Sequence, residues 1–443
     1  MSKRVAVVHD FCFQYGGGEK VVEKFLEMYP EADLITSIFV PSKFTSSEIF
    51  TTFYNSNKIK ITWLNGIFNW NNGFLLSYFK HFFWLYPLVM RSVILRDYDL
   101  VLISSTDCGK QIRFNNSPKI LHYCHTPTRY LHGLVDSDNY KIGFIQKFLL
   151  PIFVFLLRPL DLKAVEYLNS KKCIWVANSI FVQSLIKEVY DTDSVVVYPP
   201  IEVEKFLNLK RGDGSSSVEN EGILKQVQDD AMGMSSEPEN SPLEGWQAKP
   251  DGVICSVEEV EILGSVSSIE PFYLCHGRIS FHKRIDLAIR ACLELGVHLK
   301  ISGTSGLPKE MQDLQKIIDD YVVQFPAKKG LVELLGRTTN EQANELISTC
   351  KAFIFPGKED FGIAPVEMLA AGVPLIAYQL GGALEYVREG VNGVFFNEQT
   401  VESLVKALLD FEKIKNWDYV KIRASSMSFD QNIFESKIYS FTK

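Results

Sequence analysis

The strongest constraint on this chain is a rhythm: short β-rich runs, each followed by a longer stretch with helical spacing, in two successive series. Residues 4–8 (RVAVV), 99–104 (DLVLIS), 119–123 (KILHY), 173–177 (CIWVA) and 194–198 (SVVVY) make the first series, with apolar residues recurring at three and four over Glu19–Met28 and Ser179–Val189. The second comprises Phe272–His276, His298–Ser302, Val332–Leu335, Ala352–Phe355 and Pro374–Ala377. Between its runs lie helical stretches at Lys283–Leu295, Pro308–Gln324, Glu341–Cys350 and Ala364–Ala371, the last stopped by Gly372. Near-continuous apolar runs joined by helical crossovers predict parallel sheets buried on both faces. Two doubly wound α/β domains are expected, with ligands beyond the carboxyl ends of the strands. The length, 443 residues, agrees, since one core rarely grows that far.

The predicted boundaries are 1–207 for the first domain, 208–270 for an insertion, 271–425 for the second domain and 426–443 for a terminal helix returning to the first. Residues 208–270 hold 4 Lys and Arg against 13 Asp and Glu, with runs such as GDGSSSVENEG, and read as a disordered, acidic, dispensable insertion. Residues 1–190 are the opposite, 21 against 15. That mild excess suits an anionic acceptor or a membrane surface as well as a solvated face. The eight cysteines, at 12, 108, 124, 173, 255, 275, 292 and 350, form no CxxC pair, so neither a zinc site nor a disulfide framework is expected. Met1 leads directly into a strand-like run, which predicts a cytoplasmic protein without a signal peptide. The apolar run Phe148–Leu157 is about half the length of a spanning helix. Phe74–Leu95, rich in aromatics but carrying Lys80, His81 and Arg91, fits either two buried helices or contact with a membrane interface.

Chemistry concentrates at two strand-to-helix junctions. Glu359-Asp-Phe361-Gly362-Ile363-Ala364-Pro-Val-Glu367 follows the run AFIFP and enters a helix. A helix start offers unpaired amides and positive dipole, so Gly362, Ile363 and Ala364 can face an anion. Glu367, about one turn in, can accept two hydrogen bonds from a ribose diol, and Glu359 can address sugar hydroxyls. Gly277-Arg278-Ile-Ser-Phe-His-Lys283 also follows a strand; Arg278 and Lys283 suit a diphosphate leaving group that gains negative charge as its bond breaks. Gly16, Gly17 and Gly18, after the first strand, permit close backbone approach to phosphate or sugar. Three Asp-x-Asp triplets, at Asp97/Asp99, Asp136/Asp138 and Asp191/Asp193, could hold a divalent cation. Their places, before a strand or in polar loops, argue against it.

Five motifs in this order, Tyr15-Gly-Gly-Gly-Glu19, His122-Tyr-Cys-His-Thr-Pro-Thr-Arg-Tyr130, GRxxxxK, ExxxxxxxE and Leu380-Gly-Gly-Ala-Leu-Glu385, resemble those of family 4 glycosyltransferases of the GT-B fold, in the bacterial lipopolysaccharide and O-antigen mannosyltransferase branch. The resemblance implies two Rossmann-like domains facing across a cleft. It also implies Arg278 and Lys283 on the donor diphosphate, Glu367 on the ribose, Glu359 on the transferred sugar and His125 on that sugar from the opposite domain. The implied activity is metal-independent, retaining transfer of a sugar, mannose from GDP-mannose in that branch, to a polyprenyl-linked saccharide during cell-surface glycan synthesis. Its partners would be the nucleotide sugar, the lipid-linked acceptor and the inner membrane at its periphery, with no nucleic acid. A non-hydrolysing sugar-nucleotide epimerase and a non-catalytic nucleotide-sugar-binding scaffold remain open as alternatives.

Overall fold

The computed structural model describes residues 3–67, 84–134, 144–209, 211 and 270–443. In the first part lie strands β1 (Val5–His9), β2 (Asp33–Thr36), β3 (Ile59–Ile61), β4 (Ile94–Leu95), β5 (Leu100–Ser105), β6 (Arg113–Phe114), β7 (Lys119–Cys124), β8 (Ile174–Ala177) and β9 (Val195–Val196). Seven of them form a parallel sheet in the order β3-β2-β1-β5-β7-β8-β9, while β4 and β6 pair apart. The second part holds β10 (Phe272–His276), β11 (His298–Ser302), β12 (Val332–Gly336), β13 (Ala352–Phe355), β14 (Leu375–Tyr378) and β15 (Gly393–Phe396). They form a parallel sheet in the order β12-β11-β10-β13-β14-β15.

Alternation along each strand explains the layering. In β1, Ala6 and Val8 face a core shared with Val101, Ile103 and Trp175, while Val5 and Val7 face one shared with Val21, Val22, Phe25 and Leu26 of the helix Gly17–Met28. The second sheet is likewise buried on both faces. Each strand order reverses once, between β1 and β5 and between β10 and β13, and the crevices open at those switch points.

Apolar side chains move the domain limits. Ile201, Val203 and Phe206 bury in the core of the second domain, so the first ends before residue 207; Met427 and Phe429 join that same core. The chain then crosses back beside its outward path, with Gln431 N bonded to Ile201 O at 2.9 Å. The helix Gln431–Thr442 lays Phe434 against Phe25 (5.7 Å) and Tyr123 (5.8 Å) of the first domain and buries Ile438 there.

The run Phe148–Leu157 falls inside a helix, Phe144–Ser170, that accommodates Pro151 and Pro159. Among the described residues no helix is long and apolar enough to cross a membrane. Of Phe74–Leu95, residues 74–83 lie outside the described part; the helix Tyr86–Arg91 buries Tyr86, Val89 and Met90. Of the acidic segment 208–270, all but residues 208, 209, 211 and 270 lies outside it. The described cysteines are unbridged, and all but Cys173 are buried.

Candidate active site

The site is built on loops that touch backbone to backbone. A Cβ on Gly357 would lie 2.8 Å from His282 O, one on Gly381 2.4 Å from Glu359 O, and one on Gly382 2.3 Å from Phe361 O. The loops after β10, β13 and β14 are therefore stacked with no room for side chains between them. This places Lys283, Glu359 and the start of the helix Ile363–Ala370 side by side. Gly362 caps that helix at φ 89°, a left-handed conformation that glycine adopts without strain.

Lys283 Nζ lies 3.0 Å from Glu359 Oε1. Burial alone would raise the Glu359 carboxyl, but Lys283, with help from His282 and Arg278, holds it below the usual carboxylate range. Arg278 is exposed, and its charge reaches Glu359 and His282. Glu367 is paired across the cleft: Lys20 Nζ of the first domain sits 2.7 Å from its Oε1. Here too burial opposes ionisation and the lysine prevails. His276, at the end of β10, has Nδ1 3.1 Å from Ser302 Oγ and is kept neutral by burial among Glu367, Lys283 and Lys20.

The first domain supplies the facing wall. A Cβ on Gly17 would lie 3.2 Å from Ile363 Cδ1, and one on Gly18 would lie 3.7 Å from His125 Nε2. The glycine loop thus sits against the start of the opposite helix and beside His125. His125 Nε2 is 2.8 Å from Ser104 Oγ; burial, aided by neighbouring His9, pushes its pKa down to about 3. It can address a sugar hydroxyl only as a neutral hydrogen-bonding group. Further contacts cross the cleft: Arg129 pairs with Asp360, and the Glu385 carboxylate accepts from the first amides of the helix Ile180–Tyr190, at 3.0 Å from Ile180 N and 3.1 Å from Phe181 N.

Behind His125 lies a buried ionic cluster. Lys110 Nζ, in a side chain 1% exposed, donates to Thr128 Oγ1 (2.6 Å) and Asp107 O (2.9 Å) and pairs with Asp161 Oδ1 (2.9 Å). His132 Nε2 and Tyr190 Oη each lie 2.9 Å from Asp161 Oδ2. The cluster ties down Thr128 and His132, on either side of Arg129.

The structure brings Arg278, Lys283, Glu359, Gly362, Ile363, Ala364 and Glu367 to one edge of the second sheet, opposite Gly16, Gly17, Gly18 and His125. Phe361 differs from its companions. Its ring packs on Tyr198 (5.5 Å), Tyr386 (5.7 Å) and Phe429 (5.7 Å), leaving only its backbone to the cleft. Lys20, Arg129, Asp360, His276 and Glu385 were not singled out from the sequence. Lys20, Arg129 and Glu385 stand within or beside the quoted motifs, but no local spacing announces a partner more than 200 positions away. Among the described residues no group of His, Cys, Asp or Glu is placed to hold a metal ion. Asp99 accepts from Arg4 N at 2.8 Å, Asp191 and Asp193 pair with Lys187, and Asp136/Asp138 lie outside the described residues.

Residues 265–424 match the family model described as glycosyl transferases group 1. The alpha-1,3/1,6-mannosyltransferase ALG2 of Dictyostelium discoideum is 25% identical over 328 residues, 72% of this chain and 67% of that protein. An uncharacterized glycosyltransferase of Methanocaldococcus jannaschii is 28% identical over 142 residues, 31% of this chain. This chain spans only 37% and 35% of the length of two such archaeal relatives. Among solved structures, Anabaena HepE in complex with UDP aligns with a TM-score of 0.58 at 14% identity, covering 99% of this chain and 98% of that one. The lipopolysaccharide outer core galactosyltransferase WaaB aligns at 0.54 and 13% identity, covering 99% and 98%. Identities this low speak for the fold, which is GT-B: two Rossmann-like domains facing across a cleft.

Proposed function

We propose that this chain, with a glycosyl transferases group 1 match over its second domain, is a glycosyltransferase that moves a hexose from a nucleoside diphosphate to an acceptor held by the first domain. One observation carries the reading. A cation pair (Arg278, Lys283), a helix start and two half-buried carboxylates (Glu359, Glu367) meet at one strand edge, facing a glycine loop and a neutral histidine. In this reading Arg278 and Lys283 take up the charge that grows on the departing diphosphate. Glu367 accepts from the ribose diol, Glu359 and His125 orient the sugar, and closure of the glycine loop on Ile363 excludes water. Transfer proceeds with retention, the acceptor hydroxyl entering on the face that the phosphate leaves. Mannose from GDP-mannose is the donor favoured by likeness to a relative named a mannosyltransferase. The acceptor is a polyprenyl-linked saccharide, met at the cytoplasmic face of the membrane by the basic, aromatic first domain. No divalent metal takes part.

A thermal-shift panel of nucleotide sugars tests donor class, because a ligand that binds only the folded chain raises its unfolding temperature. GDP-mannose should give the largest shift; a larger one with a UDP-sugar would replace mannose in this reading. Product anomeric configuration by NMR tests retention, and turnover unchanged by EDTA tests metal independence. Glu367→Ala should weaken nucleoside diphosphate binding about 10- to 100-fold by calorimetry, the scale of a lost hydrogen-bond pair to a charged acceptor. Unaltered affinity would remove Glu367 from the ribose site.

A further inference from the structure

We propose that Lys20 changes partner when the donor arrives, passing from Glu367 to the diphosphate of the nucleotide. The inference rests on the donor-site reading above and adds a first-domain cation to it. Its ground is that Glu367 is already occupied: Lys20 Nζ stands 2.7 Å from the carboxylate oxygen, from a residue 347 positions earlier in the chain. A ribose diol that bridges both oxygens of Glu367 competes with the ammonium for Oε1, so nucleotide binding loosens the hold on Lys20.

Where Lys20 goes follows from its position. It lies in the first turn of the helix Gly17–Met28, whose first residue abuts Ile363, itself the first residue of the helix Ile363–Ala370. Two helix starts, each with unpaired amides and a positive dipole end, therefore meet where Lys20 is anchored. Glu367 is the carboxylate that acts most strongly on Lys20 now; once ribose hydroxyls take its oxygens, a diphosphate is the chemistry that fits there. Lysine suits the exchange, being a compact charge on a flexible four-carbon stem that can pivot between oxygens without moving the backbone. The side chain is 38% exposed, so the pivot breaks no packed core. The exchange also makes closure conditional: with Lys20 on the diphosphate, the two domains are held together through the donor itself.

Two roles predict opposite results. If Lys20 only plugs Glu367, removing its charge tightens nucleoside and nucleoside diphosphate binding by the same factor. If it transfers, removal spares or improves nucleoside binding and weakens the diphosphate. The experiment is calorimetry of guanosine, GDP, uridine and UDP with the full chain and with Lys20→Met, Lys20→Gln and Lys20→Arg, each checked for an unchanged unfolding temperature. For the preferred base, the Met and Gln variants should bind the diphosphate about tenfold more weakly, the scale of one charge-assisted contact, while binding the nucleoside at least as well as before. Lys20→Arg should restore the diphosphate. Equal tightening of both ligands, or no change in either, overturns the exchange. Failure of the unaltered chain to bind either diphosphate is a different outcome, which overturns the donor-site reading and the exchange with it.

Discussion

Turnover by the Lys283→Ala chain should fall on the order of 10²-fold or more, with Arg278→Ala losing a comparable factor, the range seen when one preorganised stabiliser of transition-state charge is removed. The two losses should differ in character. Arg278 is exposed, so its removal takes a charge from the diphosphate and leaves the fold as it is. Lys283 also neutralises Glu359 at 3.0 Å in a half-buried setting, and the alanine variant leaves that carboxylate without its nearest cation. Its carboxyl pKa should then rise, because burial opposes the charge that Lys283 had sustained. The pH dependence of the Lys283 variant should accordingly shift upward on its acid limb, and that of the Arg278 variant should shift less, because Arg278 acts on Glu359 more weakly than Lys283 does. Steady-state kinetics at saturating donor across pH would measure both. Undiminished turnover in the two variants would remove the cation pair from the chemistry.

The largest stability effect should come from Lys110→Met. Lys110 and Asp161 are buried to within a few per cent and bonded to one another at 2.9 Å. Removing one member of such a pair strands the other's charge and costs about 3–5 kcal/mol. Urea unfolding at neutral pH should show that loss, and adding Asp161→Asn should recover part of it by removing the stranded charge. The sign with pH is fixed. In the native chain the pairing lowers the Asp161 pKa against the opposing effect of burial, so its stabilisation is present above the unfolded carboxyl pKa, about 4, and fades as pH falls through the folded value. In the variant the buried carboxyl keeps His132 and Tyr190 but has lost its lysine, so its pKa rises from the native value and its charge destabilises at neutral pH. The gap between the two chains should therefore narrow on acidification. A loss under 1 kcal/mol at pH 7 would show that the cluster relaxes instead of holding Thr128 and His132.

What could be read from the sequence divides by range. Strands buried on both faces, such as β1 and β5, announce themselves because each opens on four consecutive apolar residues. The short strands β2, β3 and β15 do not, since three or four residues carry too little pattern, and Asp33 and Lys60 break it further in β2 and β3. The helix Phe144–Ser170 was obscured by Pro151 and Pro159, which ordinarily break helices. At the site, residues at strand-to-helix junctions were legible because the junction itself supplies the anion-binding geometry. The pairs Lys20–Glu367 and Arg129–Asp360 were not, because they exist only when two separately folded domains meet.

The return of the helix Gln431–Thr442 to the first domain has a consequence for biogenesis. Phe434 and Ile438 fill positions in the layer around Phe25 and Tyr123. As the polypeptide leaves the ribosome, the amino-terminal half emerges with an apolar hollow that persists until the helix Gln431–Thr442 is translated. The half made second thus matures first, and the half made first must wait, a vulnerable interval for a nascent chain of this size.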